Sequence, residues 1–303
     1  MASILSQSKK LATALPLAAL VLCGCSPESS SKPGNNSTEA AAIKPRSDCI
    51  GSKKPNAIQR TFSAIPQHTP RNVHNHWQEV LEQTGESLNI CFQIKHSKNT
   101  QEFAEKLQSH EFDYAYIDPL QQVINKDKYI PLLRDNSKPL RGIIVAKKES
   151  TLNSLDDLEG KMLLLTSSDA FGSSLLIQAA LHERSITPQI KYVHTCRNVF
   201  RGVLKYPETT GGGINIMLRA EPEEIQSSLK TIFTTKPYKA FPLSASTRIK
   251  PEERKIVQQE LISTIQSNDL TNKPYIDPII ASYDTDYKEI ESLKLNTLRE
   301  KSQ

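Results

Sequence analysis

Residues 162–180 read MLLLTSSDAFGSSLLIQAA, in which a short apolar run is followed by a polar turn and a second apolar run. The unbroken run Met162–Leu165 predicts a strand that is buried on both faces of a mainly parallel sheet. The apolar residues of the second run recur at helical spacing, which predicts a helix that begins near Ala170 and packs one face on that sheet. A buried strand, a turn and a helix in this order indicate an α/β fold.

The turn between this strand and helix is rich in polar side chains. A helix N-terminus presents unpaired backbone N–H groups and the positive end of the helix dipole, so the turn predicts a binding site for a small anion. The alternative is that Ser167, Ser168 or Asp169 only caps the helix, although the polar residues are more numerous than a cap needs. The hydroxyl and carboxylate residues are Thr166, Ser167, Ser168, Asp169, Ser173 and Ser174.

Composition and charge narrow the class of protein. With 303 residues and 37% hydrophobic content, the chain can bury a full core or two lobes, and neither disorder nor a fibre is indicated. The net charge of +5 comes from Lys and Arg residues that are interspersed with acids, so binding to nucleic acid is not expected. A weak attraction for anionic solutes is the most that this charge suggests.

The sequence lacks the motifs of an enzyme or a metal site. It has no Gly-x-Ser-x-Gly, no His-Glu-x-x-His and no regularly spaced metal ligands, so we expect no catalytic residue, no metal and no cofactor. His194 and Cys196 are close in sequence, and we interpret them as loop or packing residues rather than a catalytic pair. The protein is therefore predicted not to be an enzyme.

Residues 1–25 have the pattern of a secretion signal. Two lysines precede an apolar stretch at 11–22, which is too short to span a bilayer, and the segment ends in Leu22-Cys-Gly-Cys25. This ending resembles a bacterial lipobox, which implies cleavage before Cys25 and lipidation of its thiol and of the new N-terminus. An ordinary signal peptide that is cut nearby is the alternative.

The predicted lipid places the protein in the cell envelope, anchored to a membrane. Because Ser26 rather than Asp follows the cysteine, the lipoprotein sorting rule favours the periplasmic side of the outer membrane over the inner membrane in a Gram-negative cell. Residues 26–56 contain Ser, Pro, Asn, Lys and small residues without apolar periodicity, which predicts a flexible tether between the lipid and the folded domain.

Three cysteines remain beyond the signal, Cys49, Cys91 and Cys196. Their odd number and the lack of Cys-x-x-Cys spacing argue against a disulfide framework and against a metal site. We predict Cys49 in the tether and Cys91 in a strand, so a single bridge among the three is left open but is not indicated.

The chain after the tether alternates strands and helices. Residues 57–65 predict a strand, and Thr69-Pro70 predicts the start of a helix for which Gly85 is the expected C-cap. Strict apolar alternation over 88–95 predicts a half-buried strand. The remaining elements of this first series are a helix from residue 100, a strand at 112–117 and a helix that Asp118-Pro119 opens.

A second alternating series starts near Arg141. A start like a capping box at 154–157 and a stop at Gly160 predict a short helix before the strand at 162. Residues 209–213 are expected to form a glycine turn that leads into a strand at 214–218. The other predicted elements are a strand at 190–193, helices at 199–204 and 222–229, a strand at 232–234 and a longer helix from Pro251.

Extended crossings near 142–147 and 238–243 join the two series. They predict an α/β protein with two lobes around a cleft, each lobe a mainly parallel sheet flanked by helices, and with two hinge crossings. The expected boundaries are 57–142 plus 237–290 for lobe 1, 143–236 for lobe 2 and 291–303 for a C-terminal tail.

A series of segments matches one known family in order and spacing. They are FSAIP at 62–66, YAYIDPL at 114–120, IIVAK at 143–147, SLDDLEG at 154–160, SDAFGSSLL at 168–176, VFRGV at 199–203, GGGI at 211–214 and FTT at 233–235. Together they resemble the phosphate-, phosphite- and phosphonate-type solute-binding proteins of ABC transporters. This resemblance spans roughly residues 57 to 290 and implies the type II periplasmic binding protein fold, with an oxyanion held between the lobes.

The resemblance also implies ligand contacts from Tyr116 and Asp118 of lobe 1 and from Ser168, Phe171 and Ser173 of lobe 2. A further segment, at 192–198, departs from the family, which commonly has Thr-His-Asp-Ser where this chain has Thr followed by Cys and Arg. To the implied contacts we add three neighbouring candidates: Ser167, Thr195 and Arg197.

Three positions keep alternative interpretations. Asp118 stands where relatives have Gly, so it is either a helix cap or an acceptor of a proton from the ligand. Arg197 binds the ligand bidentately or points to solvent. The glycines at 211–213 allow close backbone approach or a positive φ, and they lack the Lys-Ser/Thr ending of a phosphate-binding loop.

The predicted function is that of a membrane-tethered binding protein, expected to be a monomer. It captures a small oxyanion of the phosphate, phosphite or phosphonate class between its lobes and delivers it to an ABC permease. The alternative is a sensory or accessory lipoprotein of the same fold, which presents its ligand state to a membrane partner.

Overall fold

The computed structural model describes residues 48–67, 69–136, 139–267, 279–293 and 295, and it confirms two α/β units. The strands are β1 (Ile50–Gly51), β2 (Ile58–Ala64), β3 (Ile90–Lys95), β4 (Tyr114–Tyr116), β5 (Tyr129–Asp135), β6 (Gly142–Lys147), β7 (Met162–Leu165), β8 (Gln189–Tyr192), β9 (Thr210–Ile214), β10 (Leu229–Thr234), β11 (Pro242–Ser246) and β12 (Ile279–Ala281). The α-helices are α1 (Pro70–Leu88), α2 (Thr100–Gln108), α3 (Pro119–Ile124), α4 (Leu176–Glu183), α5 (Cys196–Lys205), α6 (Asn215–Arg219), α7 (Glu223–Ser227), α8 (Pro251–Gln266) and α9 (Lys288–Ser292). A π-helical turn at Phe171–Leu175 precedes α4, and 3-10 helices lie at Asp156–Leu158 and Asp284–Tyr287.

The described strands form two mixed sheets. The strand order is β1-β3-β2-β4-β11-β5-β12 in the first sheet and β10-β6-β9-β7-β8 in the second. β2 runs parallel to β3 and β4, and β7 runs parallel to β8 and β9. The other pairings are antiparallel, so the expectation of mainly parallel sheets is corrected to mixed ones.

Two of the antiparallel pairings follow from the two passages of the chain between the sheets. β5 leads out of the first sheet and β11 leads back into it, so these neighbours run in opposite directions. β6 and β10 have the same relation in the second sheet. The passages are joined by a bridge between Leu140 and Tyr238, with backbone N–O distances of 2.9 and 2.8 Å. The first passage therefore lies before β6, earlier in the chain than the predicted crossing at 142–147.

β3 is buried over Ile90 to Gln93, although its alternating sequence predicts a half-buried strand. The reason is that β1 and β2 flank it and α1 packs on it. A disulfide bond joins Cys49 to Cys91 across the β1–β3 pair, with the Cα atoms 5.3 Å apart. Residues 48–56 therefore belong to the fold, and the predicted tether is too long at this end.

α1 continues past Gly85 to Leu88, so the predicted C-cap is wrong. A Cβ atom on Gly85 would lie 2.5 Å from the carbonyl oxygen of Ile90 and 2.8 Å from the Cα atom of Gly51. This glycine therefore allows α1 to approach β1 closely, and the helix ends instead at Asn89, which adopts a left-handed φ of 55°. The predicted start is confirmed, because the Thr69 side chain accepts a hydrogen bond from the Asn72 N–H group at 3.3 Å.

The main hydrophobic cluster packs on the first sheet and continues along the passages to one end of the second sheet. It includes Leu140 and Tyr238 of the passages together with Phe171, Leu175 and Ile214, which lie beside the second sheet. Separate clusters lie within the second unit. Within the described ranges, we find no helix with the length and apolarity that a bilayer crossing requires.

Candidate functional site

The carboxyl ends of strands from both sheets lie next to the passages. In the first sheet, Tyr116 at the end of β4 pairs with Leu243, close to the point where β11 enters the sheet. In the second sheet, Ile214 at the end of β9 pairs with Gly142 at the start of β6. β2 runs parallel to β4, so the carboxyl ends of these two strands lie side by side. β7 and β8 run parallel to β9, so their carboxyl ends lie on the same side of the second sheet as that of β9. Ligands of open α/β sheets bind at such edges.

The polar turn after β7 lies at this edge of the second sheet. Thr166 Oγ1 and Ser173 Oγ are 2.6 Å apart and both residues are buried. Ser167 donates a hydrogen bond to Asp169 Oδ1 at 2.7 Å. Ser168 is half-buried, and its hydroxyl group makes no hydrogen bond to any residue that the structure describes. Ser173 and Ser167 are thus engaged within the protein, whereas the Ser168 hydroxyl is available to a ligand.

The helix that follows the turn begins without a side-chain cap. Its N-cap is Ala170, and no described side chain accepts a hydrogen bond from the backbone N–H groups of the first turn. The alternative that Ser167, Ser168 or Asp169 caps the helix is therefore wrong. The first bond of the helix runs from the Ser174 N–H group to the Ala170 carbonyl oxygen at 3.1 Å. The preceding N–H groups, at 171–173, lie at the open end of the helix, where backbone donors bind anions. The turn is π-helical, a geometry that is frequent at functional sites.

Phe171 is fully buried. Its ring packs edge-on against Tyr238 of the second passage, with ring centroids 5.8 Å apart. The side chain therefore connects the polar turn to the passage, and a ligand contact from Phe171 would come from its backbone N–H group.

The first sheet contributes Tyr116 and Asp118. The Tyr116 ring lies 5.3 Å from the ring of Trp77 and 5.7 Å from that of Phe241. Asp118 is the N-cap of α3, since its Oδ1 atom accepts hydrogen bonds from the N–H groups of two residues of that helix at 2.8 and 3.0 Å. The structure thus shows the capping role of Asp118, and its role as a proton acceptor for the ligand stays a prediction.

Thr195 and Arg197 both have partners within the second unit. Thr195 is the N-cap of α5 and accepts a hydrogen bond from the Asn198 N–H group at 3.1 Å. Arg197 forms an ion pair with Glu221, with Nε and Oε1 3.1 Å apart; the Arg197 side chain is 58% exposed and that of Glu221 is 7% exposed. The Glu221 carboxylate compensates the positive charge of Arg197. Neither predicted alternative for Arg197 included this ion pair.

Cys196 connects α5 to the polar turn. Burial raises the pKa of its thiol to about 11, although bonds to the Ile214 backbone and the Ser173 side chain act in the opposite direction. A thiol that keeps its proton is a poor nucleophile. His194 is exposed with a φ of 71°, and its N–H group donates to the Thr166 carbonyl oxygen at 2.8 Å. The geometry agrees with loop and packing roles for both residues.

The glycine run forms the strand β9, where the sequence predicts a turn. A Cβ atom on Gly212 would lie 2.4 Å from Leu165 Cδ2 and 2.7 Å from the carbonyl oxygen of Ser173. None of the residues 211–213 has a positive φ, so close approach is the confirmed interpretation. The missing side chains allow the polar turn to pack directly on β9. The predicted strand after the run is wrong, because α6 begins at Asn215.

Two polar residues of this region were not predicted from the sequence. Asn215 lies at the end of β9; its Nδ2 atom donates to the Pro139 carbonyl oxygen at 3.2 Å, and its Oδ1 atom accepts from the Arg141 N–H group at 3.1 Å. Asn215 therefore fixes the first passage through two hydrogen bonds. It was not predicted as a site residue because it fell inside a predicted strand, at 214–218, that the structure does not contain. Glu221 lies in a loop without a motif, so only its tertiary pairing with Arg197 reveals it. Among the described residues, no group of His, Cys, Asp and Glu is arranged to hold a metal ion.

Comparison with known proteins identifies the fold and the family. The model of the family of ABC transporter phosphonate periplasmic substrate-binding proteins matches residues 62–287. No curated protein matches the chain.

Solved structures with the same fold include PhnD1 from Prochlorococcus marinus in complex with methylphosphonate, with a TM-score of 0.66, 15% identity and coverage of 80% of this chain and 98% of that one. The binding protein component of an ABC phosphonate transporter from Pseudomonas aeruginosa has a TM-score of 0.64, 11% identity and coverage of 82% and 88%. XAC2383 from Xanthomonas citri bound to ATP has a TM-score of 0.62, 16% identity and coverage of 80% and 99%.

These findings confirm the predicted two-unit α/β architecture of type II periplasmic binding proteins. Transporter substrate-binding proteins bind their solute without transforming it, so the prediction that the protein is not an enzyme is confirmed as well. The matched region covers most of the chain and includes most of the first sheet, the whole second sheet, the polar turn and the two passages. The chain belongs to the family of periplasmic substrate-binding proteins of phosphonate ABC transporters.

Proposed function

We propose that the protein captures a small oxyanion of the phosphonate, phosphite or phosphate class between its two lobes and delivers it to an ABC permease. Lobe 1 comprises the expected residues 57–142 plus 237–290 together with residues 48–56, which β1 and the disulfide bond join to the first sheet, and lobe 2 comprises residues 143–236. The family supports the transport role, and the methylphosphonate complex of the Prochlorococcus marinus protein supports the ligand class. The polar turn and the N-terminus of α3 both lie at carboxyl ends of strands next to the passages, which supports a site between the lobes.

The observation that carries this proposal is the uncapped helix start beside Ser168. Three backbone N–H groups, at 171–173, and the nearby Ser168 hydroxyl group have no acceptor from a capping side chain. Several N–H groups in a row form a concave site for an oxyanion, and the helix dipole adds a favourable field. Neutral donors of this kind recognise an oxyanion by geometry rather than by net charge.

The charge balance of the site agrees with recognition by neutral donors. Arg197 already pairs with Glu221, and Asp118 and Asp169 add negative charge at the two edges. Arg197 therefore attracts an anion less strongly than an unpaired arginine would. We expect the hydrogen bonds of the turn to supply most of the binding free energy.

Replacing Ser168 with alanine should weaken ligand binding. A ligand that binds only the folded state stabilises it by about 2.7 kcal/mol at one hundred times Kd. Removing one donor to a charged oxyanion should reduce the binding free energy by roughly 1–3 kcal/mol. The measurement is the thermal unfolding midpoint with increasing methylphosphonate, phosphite or phosphate, at constant ionic strength.

Ser227→Ala is the matched control, because Ser227 is an exposed hydroxyl residue in α7 of the same unit. It should leave the ligand-induced shift unchanged. If none of the three anions shifts the wild-type midpoint more than chloride does, the ligand class is wrong. If Ser168→Ala keeps the full shift, the assignment of Ser168 is wrong.

We further propose that a lipid on Cys25 tethers the protein to the membrane, on the strength of the lipobox-like ending at 22–25. These residues lie outside those that the structure describes. Cys25→Ser should abolish fatty-acid labelling and leave an unprocessed precursor or a released protein. Cys23→Ser is the control, since it removes a cysteine from the same segment without touching the modified position. Unchanged labelling of Cys25→Ser would refute the anchor.

A further inference from the structure

Thr166 is the residue at which the strand β7 passes into the polar turn. It is buried, with 6% of its surface exposed. Its Oγ1 atom lies 2.6 Å from Ser173 Oγ and 3.5 Å from Ser174 Oγ, so one side chain contacts two hydroxyl groups at the helix start. Its carbonyl oxygen accepts a hydrogen bond from the His194 N–H group at 2.8 Å. Thr166 therefore connects the end of β7 both to the helix start and to the segment that leads into α5.

Backbone packing on two glycines also supports the turn. A Cβ atom on Gly142 of β6 would lie 2.6 Å from the carbonyl oxygen of Gly172, and one on Gly212 of β9 would lie 2.7 Å from that of Ser173. The carbonyl groups of the turn therefore rest directly against these two strands. Such packing limits how closely the turn approaches the sheet, whereas a hydrogen bond also restrains direction. The hydrogen bond that Thr166 and Ser173 share adds this directional restraint.

The hydrogen bonds within the turn have π-helical geometry. The Ala170 carbonyl oxygen accepts from the Ser174 N–H group at 3.1 Å and from the Leu175 N–H group at 2.9 Å. The second of these bonds spans five residues, which is the pattern of a π-helix. Because π-helical turns are rare, we expect contacts from outside the helix to maintain this one. Thr166 supplies such a contact, since it bonds Ser173 inside the turn.

We propose that the Thr166 hydroxyl group is a positioning group, which aims the N–H groups at 171–173 at the oxyanion without contacting the ligand itself. This inference rests on the proposed function and adds a residue that sets the affinity of the same site. The Ser173 N–H group belongs to the residue whose hydroxyl group Thr166 bonds, so releasing that side chain also releases the donor. Hydrogen bonds weaken steeply when the donor turns away from its acceptor. Loss of the Thr166 hydroxyl group therefore lowers affinity although no ligand contact is removed.

The test compares wild type with Thr166→Val, a substitution of similar shape that removes the hydroxyl group. Affinity for methylphosphonate is measured by calorimetry at a temperature at which every variant is fully folded. Affinity should fall by about tenfold or more, the scale for losing a well-aligned hydrogen bond to a charged group. Thr166→Ser keeps a hydroxyl group on the same carbon atom and should recover most of the lost affinity.

Thr210→Val is the matched control. Thr210 is a fully buried threonine in β9 of the same unit, and its hydroxyl group donates to the Met162 carbonyl oxygen at 3.2 Å. Met162 is the first residue of β7, at the opposite end of that strand from the polar turn. Each valine variant removes one buried hydrogen bond, so each should lower the thermal unfolding midpoint. Thr210→Val should keep the wild-type affinity, as a residue that acts on stability alone does.

Hydrogen exchange examines the turn without a ligand. Thr166→Val should speed the exchange of the Leu175 amide, because the bond of this amide to the Ala170 carbonyl oxygen depends on the π-helical turn. Thr210→Val should speed it less, since its hydroxyl group lies at the other end of β7. Exchange of the Leu175 amide at the wild-type rate in Thr166→Val would contradict the support that we assign to the hydroxyl group.

Each of three binding results would overturn the inference. If Thr166→Val binds methylphosphonate as tightly as wild type, the residue serves stability alone. If Thr166→Ser loses as much affinity as Thr166→Val, the hydroxyl group is not the cause. If Thr210→Val loses as much affinity, a general loosening of the unit is responsible. If wild type binds none of the phosphorus oxyanions, it is the proposed function that fails, and the exchange of the Leu175 amide still decides whether Thr166 holds the turn.

Discussion

Replacing Trp77 with alanine should lower the free energy of unfolding by about 3–5 kcal/mol, the usual range for removing a buried tryptophan. Trp77 is fully buried in α1, and its ring centroid lies 5.0 Å from that of Phe62 and 5.3 Å from that of Tyr116. The substitution leaves a cavity beneath a residue of the candidate site, so ligand binding through Tyr116 should weaken as well. Urea unfolding followed by circular dichroism measures the loss.

Trp77→Phe is the matched control for this prediction. It keeps an aromatic ring against Phe62 and Tyr116, and it breaks no hydrogen bond to a described residue, since Trp77 Nε1 has none. Trp77→Phe should therefore lower the free energy of unfolding by less than half as much as Trp77→Ala does. An equal cost for the two variants would show that the ring contacts do not carry the stability that we assign to them.

Removing the Cys49–Cys91 disulfide should lower the free energy of unfolding by about 4 kcal/mol, the loss of loop-closure entropy estimated for a loop of 42 residues. The variant is the double substitution Cys49→Ser and Cys91→Ser, which leaves no unpaired thiol at the site. Denaturant unfolding without reductant measures the difference from wild type. β1 has only two residues, so its pairing with β3 should loosen at the same time.

Reductant provides the internal control for the disulfide. It should destabilise the wild type to about the level of the double variant and leave the variant itself unchanged. A double variant as stable as the oxidised wild type would contradict this prediction.

Local sequence patterns predicted the centre of the second unit correctly. The apolar run of β7, the polar turn and the helix start near Ala170 follow one another in the structure as they do in the sequence. This succeeds because each pattern reports one element: an unbroken apolar run for a doubly covered strand, and helical spacing for a helix that packs on one face. The caps at Thr69 and Asp118 were predictable for the same reason.

Glycines misled the sequence analysis in two places, because their role depends on neighbours that are distant in sequence. Gly85 lies inside α1, where the backbone of β1 approaches it, and was predicted to end the helix. Gly212 lies in a strand pressed against the polar turn and was predicted to be part of a turn. A glycine in the sequence shows only that a side chain is absent. The fold shows whether an unusual backbone conformation or a closely packed neighbour requires that absence.

The candidate site was predictable as a segment but not as a set of contacts. The sequence located the polar turn, yet the structure shows that Ser173 bonds Thr166 while Ser168 remains available. Arg197 was identified without Glu221, which is 24 residues away in the sequence and meets it only through tertiary packing. The Cys49–Cys91 pairing depended in the same way on the register of β1 against β3.

The most direct test of a ligand site at the polar turn is a crystal structure determined with saturating methylphosphonate. We expect the phosphonate oxygens at hydrogen-bond distance, about 3 Å, from the Ser168 hydroxyl group and from the N–H groups at 171–173. Residues of the facing edge around Tyr116 should close the other side of the ligand. A phosphonate bound elsewhere, or no bound phosphonate at saturating concentration, would contradict the site that we propose.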